Sequence, residues 1–228
     1  MQHLSIVSIN QVSEVQIGNY LGLEEMHRYL NTQVKKKQMS FLAGRIACKL
    51  ACLKAMKNVN PVELEVVNDP IGEFRGRPRL FYQQNILGQV SITHSQDLAC
   101  ATFDMHDNTG IDLEYVATRD YAFYKYNFTL KEKELISKVK PIHWDQVITL
   151  LWTAKEAMSK VIGKGLSIDT RNFESNASLE LLTVFFENDV GQMDFTGEYK
   201  IDNKIFQLNS RCFTYNHLQY YLTAAKAY

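Results

Sequence analysis

The sequence predicts an α+β fold of two similar halves, each a long helix with a small, mostly antiparallel sheet packed on it. At 228 residues the chain is long enough for one large domain or two small ones, and either could bury a core. Two long stretches, near residues 37–57 and 144–162, carry apolar residues at three- and four-residue steps and read as helices. Each is followed by several strand-like runs. Helix-then-strands therefore occurs twice, which divides the chain at about 1–115 and 116–228, although no repeat is visible residue by residue.

The elements follow in order. Met39, Leu42, Ala43, Ile46, Leu50 and Leu53 form the apolar stripe of the first helix, which leaves Arg45 and Lys49 on the opposite, polar face. Val62 to Val66 alternates as a strand, and the segment from Asn68 through Arg75-Gly76-Arg77-Pro78 has the punctuation of a long loop able to hold a ligand. Val90 to His94, Leu98 to Phe103 and Gly110 to Glu114 read as three strands of an antiparallel meander, the last two joined by a turn-rich segment. A helical stretch from Asp120 to Lys138 breaks near Thr129. Trp144 to Ile162 then forms the second long helix, with Val147, Leu150, Leu151, Ala154, Met158 and Val161 on one stripe, and Gly163 stops it. Leu179 to Glu187, Gly191 to Phe195, Tyr199 to Leu208 and Leu218 to Ala225 read as strands.

Composition narrows the function classes. Lys plus Arg and Asp plus Glu stand at 25 each, so no global field recruits nucleic acid or an anionic membrane, and any anion site must be local. The start lacks the pattern of a secretory signal, and no apolar stretch reaches the roughly 20 residues that span a bilayer. Cys48, Cys52, Cys100 and Cys212 form no CxxC pair. Cys48 and Cys52, one helical turn apart, read as small buried groups, which suits a reducing cytoplasm.

The chemistry-bearing residues lie in two segments. In Gly110-Ile111-Asp112-Leu113-Glu114, alternation points Asp112 and Glu114 to one face, about 7 Å apart. Two acids so close repel unless a cation joins them, and oxygen ligands of this kind suit Mg²⁺ or Mn²⁺; without one, the pair is simply an acidic sheet face. On the second long helix, Trp152, Lys155, Glu156, Ser159 and Lys160 adjoin the apolar stripe, with Glu156 and Lys160 one turn apart. By spacing alone this is equally a solvated Glu/Lys face.

Together the two segments resemble the paired signature of the 4'-phosphopantetheinyl transferases. In that signature a strand reading Gly, Ile or Val, Asp, any residue, Glu precedes a helix reading Trp or Phe, a small residue, any residue, Lys-Glu, and Lys four positions later. Both segments match in full and in order. Ser91-Ile92-Thr93-His94-Ser95, Arg75-Gly76-Arg77-Pro78, Phe41-Leu42-Ala43-Gly44-Arg45 and Gly163-Lys164-Gly165-Leu166 resemble further family stretches, so the likeness runs from about Lys35 to Leu166. Ser91, Thr93 and Ser40 depart from it, Ser40 standing where some relatives carry a basic residue. Length and doubled layout resemble the single-chain, surfactin-synthetase-type subfamily, which implies a pseudo-twofold arrangement with the active site between the halves.

The resemblance implies transfer of the phosphopantetheine arm of coenzyme A to a serine of an apo acyl or peptidyl carrier protein, as in fatty acid, polyketide or nonribosomal peptide synthesis. It implies Asp112, Glu114 and Glu156 as Mg²⁺ ligands, with Mn²⁺ as an alternative, and Glu156 and Lys160 as catalytic groups. Lys35, Arg45, Arg77, His94, Ser95 and Lys155 would bind coenzyme A. The aromatic stretch Tyr121 to Phe128 would meet the carrier or else form a core cluster, and two halves in one chain favour a monomer. Two other readings suit the same residues: a Mg²⁺-dependent coenzyme A or nucleotide pyrophosphohydrolase, and a non-catalytic carrier-binding protein.

Overall fold

The computed structural model describes residues 2–72, 74–164, 168–188 and 190–227. The chain divides into two compact units, Met1–Thr109 and Gly110–Tyr228. Each combines helices with one five-stranded sheet, so the α+β expectation holds.

In the first unit, β1 (His3–Ser8) leads through short helices α1 (Ile17–Tyr20) and α2 (Leu23–Leu30) to the long helix α3 (Lys35–Ala55). Strands β2 (Leu64–Asn68), β3 (Pro78–Tyr82), β4 (Asn85–Ser95) and β5 (Leu98–Asp104) follow, and the sheet order is β1-β5-β4-β3-β2 with every pairing antiparallel. Ala47, Cys48, Ala51 and Cys52 of α3 pack on Leu64, Val66, Leu80, Val90 and Phe103 of the sheet. The two cysteines are thus the small buried groups their spacing predicts.

In the second unit, β6 (Thr109–Tyr115) leads through α4 (Tyr121–Asn127) and α5 (Leu130–Lys138) to the long helix α6 (Trp144–Ile162). Then come β7 (Phe173–Ser175), α7 (Leu179–Glu187), β8 (Gln192–Tyr199), β9 (Lys204–Tyr215) and β10 (Leu218–Ala227), in sheet order β6-β10-β9-β8-β7. The α6 bounds agree with the apolar spacing, and Gly163 closes the helix in the left-handed region at φ +85°. The break near Thr129 is a capping box: Thr129 accepts from the Glu132 amide while Glu132 accepts from the Thr129 amide.

Four expectations are corrected. Gly110 to Glu114 does not continue the β4–β5 meander: the free side of β5 pairs with β1, so β6 joins the other sheet beside β10. The strand with Asp112 and Glu114 therefore falls in the second unit, and the boundary lies at 109/110 rather than 115/116. Leu179 to Glu187 is helical, because Ser178 caps the Leu181 amide and Leu182 and Phe185, three apart, share the buried side. The Tyr199 to Leu208 run is interrupted by a turn at 200–203, with Asn203 at φ +53°. The polar face of α3 that carries Arg45 and Lys49 is buried against Glu25 of α2, a helix outside the stretch in which helices were expected.

Candidate active site

Two elements of the second unit build the acidic cluster, and a glycine lets them meet. A Cβ at Gly110 would lie 2.0 Å from the Ala157 carbonyl oxygen of α6, so only glycine allows β6 this close to the helix. From there Ile111 and Leu113 point into the core at 0% exposure, and the pleat turns Asp112 and Glu114 to the other face. Glu156 comes to the same place from α6. Carboxylate oxygens of Asp112, Glu114 and Glu156 all lie within 4.8 Å of one another.

Two cations partly offset this charge. Lys160 Nζ donates to Asp112 Oδ1 at 2.7 Å and to the Ile111 carbonyl at 3.0 Å, and lies 3.8 Å from Glu156. Arg119 donates to Glu114 at 3.1 Å, and its guanidinium stands over the Phe123 ring. Burial, and then the charge of Asp112, push the Glu156 carboxyl up to about 8. The same two causes raise Glu114. Burial alone would lower Lys160, but Asp112 and Glu156 outweigh it, so its ammonium holds its proton more tightly than usual.

Three carboxylates thus converge in a place where burial, and then their mutual repulsion, disfavour the charged forms of Glu114 and Glu156. A divalent cation would relieve the repulsion, and an oxygen-only donor set suits Mg²⁺ or Mn²⁺ rather than the softer metals that favour nitrogen and sulfur. The residues therefore fit the ion that the sequence implies.

Lys155 is not in this cluster. Its side chain is wholly buried, ion-paired to Glu132 at 2.7 Å, and donates to the carbonyls of Thr170 and Phe173. Of the further stretches, Gly163 and Lys164 are described, while Gly165 and Leu166 lie outside the described residues. The aromatic run is partly core and partly surface. Phe128 is buried and Phe123 packs edge-on against Trp152 at 4.9 Å, whereas Tyr121 and Tyr126 are exposed.

The first unit holds a basic pocket of about 590 Å³. Arg28, Lys36, Lys37, Phe41, Arg45 and His94 are among the residues lining it. Arg28 and Arg45 stand over the Phe41 ring, 5.3 and 4.4 Å from its centroid, and both donate to Asn68 Oδ1, at 3.4 and 3.3 Å. Two guanidiniums drawn to one amide oxygen concentrate positive charge at the pocket, part of it met by the Arg45–Glu25 pair. His94 Nε2 donates to the Ser40 carbonyl at 2.8 Å, and a Cβ at Gly44 would lie 2.5 Å from that nitrogen. The glycine of the Gly44-Arg45 pair thus makes room for the imidazole.

Of the expected coenzyme A residues, Arg45 and His94 share this pocket and Ser95 is buried at the end of β4 beside His94. Lys35 is exposed and ion-paired with Glu14, and does not line the pocket; Lys36 and Lys37 do. Arg77 donates instead to Gln89 and Asn108, both at 2.7 Å, while its neighbours Gly76 and Pro78 reach the pocket. Reading the sequence missed Arg28, Phe41 as a stacking surface, and Arg119. Glu25, three residues after the N-cap Gly22 and accepting from its amide, supplies half of a capping box that could have hinted at α2, and Arg28 with it; nothing in the sequence marks Arg119.

Residues 108–183 match the family model described as the 4'-phosphopantetheinyl transferase superfamily. The chain is similar to the holo-(acyl-carrier-protein) synthase of Bacillus cytotoxicus, 31% identical over 108 residues, which cover 43% of this chain and 87% of that one. It is also similar to a Synechocystis protein bearing the name of a 4'-phosphopantetheinyl transferase, 24% identical over 149 residues. That match takes in 64% of this chain and spans only 58% of the relative. A solved holo-(acyl-carrier-protein) synthase of Bacillus anthracis overlaps 45% of this chain and 91% of its own, at 26% identity. Its TM-score of 0.39 is too low to carry an argument about the fold.

Proposed function

Because this chain belongs to the 4'-phosphopantetheinyl transferase superfamily, we propose that it moves the 4'-phosphopantetheine arm of coenzyme A to a serine of an apo acyl or peptidyl carrier protein and releases adenosine 3',5'-bisphosphate. The observation that carries the reading is the convergence of Asp112, Glu114 and Glu156 within 4.8 Å, with Lys160 on Asp112.

The three acids would hold a Mg²⁺, which when bound neutralises pyrophosphate oxygens and makes phosphorus more electrophilic. Glu156, beside Asp112 and Lys160, would accept the serine proton as a general base once a bound cation holds its carboxylate ionised. As that proton leaves, the serine oxygen forms the new bond to phosphorus and the phosphoanhydride bond breaks. Lys160, held charged by the acids around it, stabilises the leaving phosphate.

The pocket of the first unit suits the nucleotide end of the substrate. Arg28, Arg45, Lys36, Lys37 and His94 answer the 3'-phosphate, and Phe41 offers a ring face. The cations lining the pocket compensate for Ser40. Lys35, Arg77 and Ser95 would act at the margin of that pocket. On α4, exposed Tyr121 and Tyr126 flank Lys125 and offer an acidic carrier both apolar contact and charge.

The test is intact-mass measurement of several purified apo carriers after incubation with coenzyme A and Mg²⁺. A gain of one phosphopantetheine on any carrier, dependent on the enzyme, supports the proposal and ranks the partners by rate. Cleavage of coenzyme A at the same rate without a carrier would make the protein a pyrophosphohydrolase. Carrier binding with neither reaction would leave it a binding protein.

A further inference from the structure

Lys155 adjoins Glu156 in the chain, yet its side chain points away from the acids into a closed set of partners. Glu132, which opens α5, is the hub of that set. Its Oε2 accepts from the Thr129 amide at 2.9 Å and pairs with Lys155 at 2.7 Å, and its Oε1 accepts from the Ser175 amide of β7 at 3.1 Å. Lys155 adds the carbonyls of Thr170 and Phe173. One buried ion pair thus ties together the start of α5, the middle of α6 and the sheet-edge strand β7.

The first unit repeats the core of this arrangement, with Arg45 as a further partner of its glutamate, Glu25, at 3.3 Å. Glu25, which opens α2, accepts from the Gly22 amide at 3.1 Å and from the Val66 amide of the edge strand β2 at 3.0 Å, and it pairs with buried Lys49 of α3. Lys49 also donates to a backbone carbonyl, that of Tyr20. Five residues further along each long helix the likeness continues: Lys54 donates to the Leu4 carbonyl of β1, and Lys160 to the Ile111 carbonyl of β6. Within that shared frame, Leu50 occupies the place of Glu156, and Ser5 and Val7 those of Asp112 and Glu114. The lysine–glutamate pair therefore occurs also where no acid cluster stands, so balancing the charge of such a cluster does not account for it.

We infer that Lys155 is a positioning residue: paired with Glu132, it fixes the rotation of α6 about its axis so that Glu156 and Lys160 face Asp112 on β6. A single ammonium with three fixed oxygen partners resists both rotation and sliding of the helix at the residue next to Glu156. Removing one partner leaves the other charge buried and uncompensated, whereas neutralising both does less harm. A lysine that touched coenzyme A directly would behave otherwise.

The inference rests on the transferase reading, and a thermodynamic cycle of K155M, E132Q and the double variant tests it. Three quantities are read: carrier transfer, the half-saturating Mg²⁺ concentration, and the Kd for coenzyme A measured without Mg²⁺. Both single variants are expected to raise the half-saturating Mg²⁺ about tenfold and lower turnover, with the Mg²⁺-free Kd within twofold of wild type. The double variant is expected to recover part of both losses. If K155M weakens Mg²⁺-free coenzyme A binding while E132Q does not, or if the double variant is no better than the worse single one, the inference is overturned. If K155M does not fold, E132Q carries the test through its Mg²⁺ requirement, and an unchanged requirement overturns the inference. Failure of the wild-type protein to transfer at all would instead remove the transferase reading.

Discussion

At Glu156, burial and the Asp112 carboxylate raise the acid from 4.5 to about 8, and the sign of the pH dependence follows. The folded state binds this proton more tightly than the unfolded chain does. The stabilisation it contributes is complete below about 4.5 and is lost as pH rises toward 8. Thermal unfolding in EDTA should therefore show wild type losing stability between pH 5.5 and 8 relative to E156Q, with Mg²⁺ suppressing the difference. Transfer by E156Q should be abolished while its far-UV circular dichroism stays native. A second residue-scale prediction concerns Arg28, whose guanidinium shares Asn68 and the Phe41 ring with Arg45. R28A should raise KM for coenzyme A roughly tenfold or more and leave KM for dephospho-coenzyme A nearly unchanged. Steady-state kinetics with the two substrates checks this.

The decisive element contact is that of β6 with α6. A methyl group at Gly110 would collide with the backbone oxygen of Ala157, and backbone does not move aside as a flexible side chain can. G110A should cost about 3 kcal/mol of stability by chemical denaturation, and its Mg²⁺ requirement should rise because Asp112 and Glu114 are carried away from Glu156. Element type was legible where periodicity was long, as in α6, and the break near Thr129 was legible too, although the capping box that makes it appeared only in the structure. Element type was misread at Leu179 to Glu187, where a short run of leucine, valine and phenylalanine satisfies a buried strand and a helix equally. The polar face with Arg45 and Lys49 was legible, but not its burial, because the carboxylate that covers it, Glu25, is distant in sequence.

For the whole molecule, each unit has its own sheet, its own long helix and its own polar feature, so each ligand should leave a separate footprint. Mg²⁺ alone should slow amide exchange in β6 and α6, and adenosine 3',5'-bisphosphate alone should slow it in the first half of α3 and around Asn68, as read by hydrogen-exchange mass spectrometry. By itself the sequence determined the α+β class, the two long helices and the acids Asp112, Glu114 and Glu156, because strand alternation, helical spacing and short motifs are local properties. Only the tertiary structure decided that β6 joins the second sheet, that Lys155 and Lys49 are the same buried strut in two units, and that Arg28 joins Arg45 around Phe41. Those outcomes depend on which distant backbone and carboxylate groups come within about 3 Å, the reach of a hydrogen bond, and no pattern along a single chain records that distance.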